Sequence, residues 1–313
     1  MSLAIGVDIG GTKVAAGVVD EDGNVLARSR RRTPTRDPEH LVDVVVEIVR
    51  QLRSEHETDI VGVGAAGYID TDRATVLFAP NLSWRDTPLR AQISERLGVQ
   101  VVVENDANAA AWGEHRFGAG ERQPNVVCLT VGTGIGGGLI LDGNLFRGQF
   151  GIAGEPGHIR VVPGGRLCGC GNHGCWEQYA SGRALVRAAR EIATERKDDA
   201  KRLLQLAGDV ESIDGPVVTR AAQEGDPAAI DCFDEIARWL GQGMADLAAV
   251  LDPGRFVLGG GVVEAGDLLL RPARESFEVA LTGRGHRPVA DVVGATLGAD
   301  AGLIGAADLA RQG

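Results

Sequence analysis

The chain has 313 residues, 44% of them apolar and 24% charged, with 45 glycines, five cysteines and a formal net charge of −11. That length accommodates two domains of ordinary size, each with its own core; no run approaches the ~18 apolar residues of a membrane span, and the acidic balance argues against a nonspecific nucleic-acid or anionic-membrane surface, which needs an electropositive face. The opening MSLAIGVDIGG lacks the basic start and long apolar core of a secretory signal, which predicts cytoplasmic residence and reduced thiols.

In chain order, LAIGVDIG, VAAGVVD and VLARSR read as apolar strands separated by GGTK and EDGN turns, an antiparallel meander over the first 32 residues. The basic run from Arg28 to Arg32 reads as a solvated strand and loop rather than a phosphate patch. Asp37 and Pro38 supply an N-cap and a first-turn proline, and Leu41, Val42, Val45, Ile48, Val49 and Leu52 follow at helical spacing. The strand DIVGVGAAG comes next; Thr87 and Pro88 open a second helix with Leu89, Ile93 and Leu97, stopped by Gly98. VQVVVE is a buried strand running into END and a helix from about Ala107, ahead of which Asp106 reads first as an N-cap.

Past residue 120 the layout restarts. VVCLTVGTGIGGGLILDGNLF repeats the strand, glycine/threonine turn, strand and DG turn of IGVDIGGTKVAAGVVDEDG, which implies two copies of one nucleotide-cradling unit and a domain boundary near residue 120. Apolar periodicity predicts helices near 183–195 and 228–251, the latter ended by Asp252, Pro253 and Gly254. A strand FVLGGGVV leads through GD into another helix, and LGADAGLIGAADLA closes the chain as helix. Alternating strands and helices make an α/β fold the expectation.

Neither glycine loop is a dinucleotide or P-loop fingerprint. GTGIGG at 132–137 matches GxGxxG but continues into a strand, whereas a Rossmann loop must open a helix. GVDIGGTK places Thr12 before Lys13 and also leads to a strand. What remains is a pair of turns presenting backbone N–H groups and the hydroxyl of Thr12 or Thr133, chemistry that holds phosphate oxygens without net positive charge. Either turn alone is ordinary hairpin chemistry; two of them, with Gly259, Gly260 and Gly261 after a third strand, favour a phosphate site.

The stretch GEPGHIRVVPGGRLCGCGNHGCWE, residues 154–177, gathers three cysteines, two histidines and two glutamates. Cys168, Cys170 and Cys175 stand as Cys-x-Cys-x4-Cys among glycines, a spacing that suits a structural zinc knuckle better than a disulfide framework. A tetrahedral site needs a fourth ligand, and spacing leaves His158, His173 and Glu177 open. Cys128 and Cys232 lie in apolar surroundings and read as small buried hydrophobes.

With DIGGTK, VGTGIGGG, END and GEPGH…CGCGNHGCWE together, the chain resembles the ROK family of sugar kinases along essentially its whole length, and within it the zinc-containing bacterial glucokinases. The resemblance implies an actin/hexokinase-like ATPase fold whose two α/β domains flank a cleft for sugar and ATP. Residues 1–120 would form the smaller N-terminal domain, 121–296 the larger domain carrying the zinc site, and the closing helix, 297–313, would pack back on the first. It implies structural zinc on His158, Cys168, Cys170 and Cys175, with His173 a turn residue. Asp106 becomes the catalytic base that takes the proton of the sugar 6-hydroxyl, kept ionised at pH 7 by the helix N-terminus. Asn105 would orient that end of the ring; Glu155, His158 and Glu177 would bind hydroxyls at the other, with Asn81 a further contact. For the donor, Gly10, Gly11, Thr12 and Lys13 form one phosphate turn and Gly132, Thr133 and Gly134 the other. Gly260 and Gly261 approach the adenosine, and Asp8 organises the magnesium carried with ATP. AAGYID departs from the Pro-Gly frequent in the family, which shifts the loop at Ala66 and Gly67 and bears on affinity rather than reaction class.

The implied activity is ATP-dependent phosphorylation of glucose to glucose 6-phosphate by a cytoplasmic homo-oligomer, dimer or tetramer. N-acetylmannosamine, N-acetylglucosamine or fructose is the alternative acceptor and polyphosphate the alternative donor, because pocket shape decides both. A sugar-sensing regulator without catalysis is the rival from another class, but its DNA-reading module has no counterpart in this acidic chain. An actin-like filament or chaperone ATPase would leave the cysteine segment without a purpose.

Overall fold

The computed structural model describes residues 2–34, 37–79 and 82–312. The chain divides into two compact units: residues 1–128, 137–154 and 295–313 in one, and 129–136 with 155–294 in the other.

The first unit is built on β1 (Ala4–Ile9), β2 (Lys13–Val19) and β3 (Val25–Arg32), the antiparallel meander, followed by α1 (Pro38–Arg53) and the parallel strand β4 (Ile60–Ala65). The Asp37 carboxylate caps α1 by accepting from the His40 N–H at 3.0 Å. Three short strands, β5 (Tyr68–Ile69), β6 (Val76–Ala79) and β7 (Trp84–Thr87), form a small sheet of their own. Then come α2 (Leu89–Leu97), stopped by the left-handed Gly98, β8 (Gln100–Asn105) and α3 (Asp106–Phe117). The main sheet runs β3-β2-β1-β4-β8.

The two faces of this sheet differ in kind, as strand alternation dictates. Ile5, Val7, Ile9, Val14, Val18, Val61 and Val63 join the core that takes Leu41, Val45, Ile48 and Val49 of α1. On the other face stand Ala4, Gly6, Asp8, Ala15, Gly17, Gly62 and Gly64. That face is nearly bare of side chains because it carries the last helix, α10, introduced below.

β9 (Val126–Val131), β10 (Ile135–Leu141) and β11 (Asn144–Phe146) form the second meander. α4 (Glu177–Ala180), α5 (Gly182–Glu195), α6 (Lys201–Ala207), α7 (Gly215–Gln223) and the long α8 (Pro227–Leu251) follow. Asp214 and Asp226 cap α7 and α8 through their side chains. β12 (Arg255–Gly259), α9 (Asp267–Ala280), β13 (Asp291–Gly294) and α10 (Ala301–Gln312) complete the chain. The second sheet is ordered β11-β10-β9-β12-β13, the same sequence of roles as β3-β2-β1-β4-β8, so the internal repeat extends beyond the hairpins to the parallel strands. β9 and β10 contribute residues to both units.

α10 lies against β1, β4 and α3. A Cβ on Gly6 would sit 1.7 Å from the Leu303 carbonyl oxygen, and one on Gly62 1.8 Å from that of Ala306, so helix and sheet meet backbone to backbone. Asp308, nearly buried, accepts from the Trp112 indole at 2.8 Å and pairs with Arg116 at 3.1 Å. Glu114 of α3 accepts from the backbone N–H groups of Thr296 and Leu297 and fixes the entry to α10.

Cys128 and Cys232 are buried, and burial pushes the Cys232 thiol up to about 12, consistent with inert core residues. The strands DIVGVGAAG and FVLGGGVV are shorter than their apolar runs. The first breaks after Ala65, and the second ends at Gly259 because Gly260 takes a φ of +91°. Among the described residues no helix is long and apolar enough to cross a membrane.

Candidate active site and metal centre

In the first unit, the turn between β1 and β2 is closed by the Gly10 N–H donating to the Lys13 carbonyl at 3.0 Å and is anchored by the Thr33 hydroxyl on the Gly10 carbonyl at 2.7 Å. A Cβ on Gly11 would meet nothing within 4 Å, so the crest of the turn is open. Asp8 precedes the turn on the face that α10 covers, and a Cβ on Gly302, in the first turn of α10, would come 3.2 Å from the Asp8 carboxyl carbon. Burial above all, with the Asp106 charge adding to it and Lys13 opposing, pushes the Asp8 carboxyl up to about 7.

Asp106 is not the cap of α3. That role belongs to Asn105, whose side-chain oxygen accepts from the Asn108 N–H at 2.9 Å. Asp106 is the first helical residue, its Oδ1 accepting from its neighbour's N–H, Ala107, at 2.9 Å. Burial raises its pKa, and the backbone bonds at the helix start offset this only in part. Asn105 is held at its other end by donating through Nδ2 to the Gly67 carbonyl at 3.1 Å. Gly67 has a φ of +121°, and a Cβ there would lie 2.4 Å from the Phe78 carbonyl oxygen, so this loop can carry only glycine at that point. Asn81 lies outside the described residues.

In the second unit, the Gly132 N–H closes the other glycine turn on the Gly134 carbonyl at 3.0 Å, and the Gly132 carbonyl accepts from the Gly182 N–H at 2.7 Å where α5 begins. A Cβ on Gly134 would stand 2.4 Å from Glu177 Oε2. The other oxygen of Glu177 accepts from the Cys168 thiol at 3.1 Å, so this one carboxylate touches both the turn and the cysteine segment. Gly260 is pressed against the Val131 carbonyl, where a Cβ would be 2.5 Å away, whereas Gly261 faces open space. Glu155 stands at the start of a short 3-10 helix, Pro156–His158, and its carbonyl accepts from the His158 N–H at 3.2 Å.

The ligand atoms of His158, Cys168, Cys170 and Cys175 all lie within 4.8 Å of one another. His158 Nδ1 is 3.6 Å from Cys168 Sγ, and Cys170 Sγ is 3.6 Å from Cys175 Sγ. A tetrahedral zinc with Zn–S of ~2.3 Å and Zn–N of ~2.0–2.1 Å spaces its ligand atoms roughly 3.5–3.8 Å apart, so the donor set fits that ion; a disulfide needs ~2.05 Å between sulfurs. Bonds from Cys168 N–H to the Asn172 carbonyl and from Gly171 N–H to the Cys168 carbonyl turn the knuckle back on itself. His173 is exposed, pairs in a bridge with Leu167, and is not one of the four clustered side chains.

The sequence-derived residues thus divide between the units. Asp8, Gly10 to Lys13, Asn105 and Asp106 belong to the first; Gly132 to Gly134, Glu155, the His158, Cys168, Cys170 and Cys175 cluster, Glu177, Gly260 and Gly261 belong to the second. Sequence reading missed Glu104, Arg73 and Arg147, which surround the Asn105 turn. The available signal was a glutamate ending an otherwise apolar strand, since a charge in such a place is almost always paired.

The model of the family described as ROK matches residues 4–313. The glucokinase of Streptomyces coelicolor is 55% identical over 313 residues, spanning all of this chain and 98% of that protein. The crystal structure of a ROK family glucokinase from Streptomyces griseus, in complex with glucose and AMPPNP, matches with a TM-score of 0.92 at 56% identity, each chain covered completely. That of a ROK hexokinase from Thermus thermophilus matches with a TM-score of 0.82 at 36% identity, over 99% of this chain and all of that one.

Proposed function

The chain belongs to the ROK family, with its actin/hexokinase-like α/β fold, and from that premise we propose how its residues divide the work of phosphorylating glucose with ATP. The reaction itself is that of a glucokinase. Phosphoryl transfer asks little covalent chemistry of a protein: an aligned acceptor hydroxyl, a base for its proton, and neutralised phosphate charge. Asp106 accepts the proton of the glucose 6-hydroxyl. The observation that carries this assignment is its carboxylate at the first residue of α3, desolvated and close enough to Asp8 to raise that group's pKa. Desolvation brings a carboxylate nearer the pKa at which it serves as a base around neutral pH.

Asn105, held at both ends of its amide, orients the same end of the sugar. Glu155, His158 and Glu177 bind hydroxyls at the other end, carboxylate and imidazole acceptors suiting a polyol. The turns Gly10 to Lys13 and Gly132 to Gly134 cradle the donor phosphates with backbone N–H groups, and Gly260 and Gly261 take the adenosine. Magnesium carried with ATP would neutralise phosphate charge, and Asp8, a half-buried hard-oxygen ligand at the foot of the first turn, suits it. Zinc held by His158, Cys168, Cys170 and Cys175 would rigidify the segment that runs directly into Glu177 at the start of α4.

The test is ADP release from magnesium ATP with glucose, N-acetylmannosamine, N-acetylglucosamine and fructose presented separately. A kcat/KM for glucose at least tenfold above the others is expected. Turnover with none of them, on ATP or polyphosphate, would refute the kinase reading. Homo-oligomerisation is proposed on the family resemblance and is read by light scattering of the purified protein.

A further inference from the structure

Glu104 occupies the next-to-last position of β8 and is 1% exposed. Its Oε2 lies 2.9 Å from Arg147 Nε and 3.1 Å from Arg73 Nε. Its Oε1 accepts from the Asn105 N–H at 2.8 Å, from Asn108 Nδ2 at 3.1 Å and from Arg147 Nε at 3.2 Å. One carboxylate thus grips both the cap residue of α3 and the third residue inside it. Asp106 stands between those two attachments.

The two arginines carry the grip outward. Arg147 donates to the carbonyls of Asp70 at 2.7 Å and Thr71 at 3.0 Å. Arg73, itself in the left-handed region at a φ of +54°, accepts the Val103 N–H on its carbonyl at 2.9 Å. The turn between β5 and β6 is thereby tied to β8, close to Gly67, whose carbonyl holds the Asn105 amide. Arg147 also begins the segment that reaches Gly154, where a Cβ would lie 3.3 Å from Asn108 Oδ1. Every residue of this cluster belongs to the first unit.

A carboxylate this buried requires its counter-charges, and one ion-paired to two arginines in low dielectric while its other oxygen takes the Asn105 and Asn108 N–H groups is restricted to few geometries. Apolar packing could hold β8 against the turn equally well. It could not direct the Asn105 N–H and the Asn108 amide to a single point.

We propose that Glu104 and Arg147 are positioning residues for phosphoryl transfer, holding the Asn105–Asp106 turn so that the base meets the sugar hydroxyl in line. The proposal rests on the assignment of Asp106 as base. A displacement of about 1 Å at such a group costs on the order of a hundredfold in rate.

The experiment is a double-mutant cycle on kcat between Arg147→Met and Asp106→Asn, with residual rates taken from single-turnover measurements and folding checked by thermal melting. Arg147→Met alone is expected to lower kcat roughly ten- to a hundredfold while KM for ATP stays within about twofold. In the Asp106→Asn background the same substitution is expected to lower it no further. An equal loss in both backgrounds, or no loss in the single variant, overturns the proposal, since a merely structural contact acts independently of the base. If Arg147→Met does not fold, Arg147→Lys takes its place. Lysine keeps the charge against Glu104 and loses the forked reach to the carbonyls, so a smaller fall in kcat, again absent without Asp106, is expected, and an undiminished kcat overturns the proposal. Near-normal turnover of Asp106→Asn alone is the separate result that removes the base assignment.

Discussion

Gly62→Ala tests the backbone contact between α10 and the sheet. The new Cβ would stand 1.8 Å from the Ala306 carbonyl oxygen and 2.3 Å from its carbon, both rigid main-chain atoms. Real Cβ contacts essentially never fall below 3.0 Å, so β4 and α10 must part by about 1.2 Å. No side chain can rotate away to relieve this. The cost belongs at the upper end of the overpacking range, about 3 kcal/mol, which for a domain of this size lowers Tm by roughly 6–12 °C. Because Gly302 in the first turn of α10 abuts Asp8, the same separation is expected to raise KM for ATP. The assay is calorimetric unfolding of wild type, Gly62→Ala and the control Gly215→Ala, together with ATP saturation curves. A Cβ on Gly215, at the start of α7, meets nothing within 4 Å, so the control should melt at or slightly above wild type. A Gly62→Ala protein melting within about 2 °C of wild type would refute the close contact.

Three further outcomes are expected. Cys170→Ala should abolish stoichiometric zinc by metal analysis and lower both Tm and glucose affinity; one metal per chain in that variant would contradict the ligand set. Asp8 has a folded pKa of about 7 against an ordinary 3.8. The folded state therefore holds the extra proton, and the associated stability is full below pH 4 and lost as pH rises towards 7, at up to about 1.4 kcal/mol per pH unit. Metal-free Asp8→Asn should accordingly out-melt wild type at pH 8 and converge with it near pH 4; a constant difference across that window would exclude the burial argument. Gly134→Ala, whose Cβ would stand 2.4 Å from Glu177 Oε2, should displace that flexible carboxylate and raise KM for glucose with little change in Tm; an unchanged KM would place Glu177 outside the sugar site.

Much of the architecture is legible in the sequence because the relevant signals are local. Apolar strands separated by GGTK and EDGN can fold back only as a meander, and Asp37-Pro38 announces α1 before its apolar stripe begins. The cysteine knuckle is equally local, three ligands within eight residues. The sheet β5-β6-β7 escaped because its strands are two to four residues long and left-handed non-glycine residues shape it, Arg73 and Ser83 between strands and Asp86 inside β7. α6 and α7, seven and nine residues long, were not read from the sequence, although Asp214 caps α7 as Asp37 caps α1. The cap of α3 was misread by one position, since Asn and Asp are equally good caps and only the bond from Asn108 tells them apart. The Glu104 cluster is non-local: Arg147 comes from 43 residues away, and no spacing rule reaches that far.

The measurement that bears most directly on the central claim is the steady-state rate of Asp106→Asn with saturating glucose and magnesium ATP, beside glucose binding to the same variant by calorimetry. Loss of a positioned general base predicts a fall in kcat of about 10²–10⁴, with glucose affinity within about threefold of wild type. Turnover within about tenfold of wild type would contradict the assignment of Asp106, and with it the account of how this chain phosphorylates glucose.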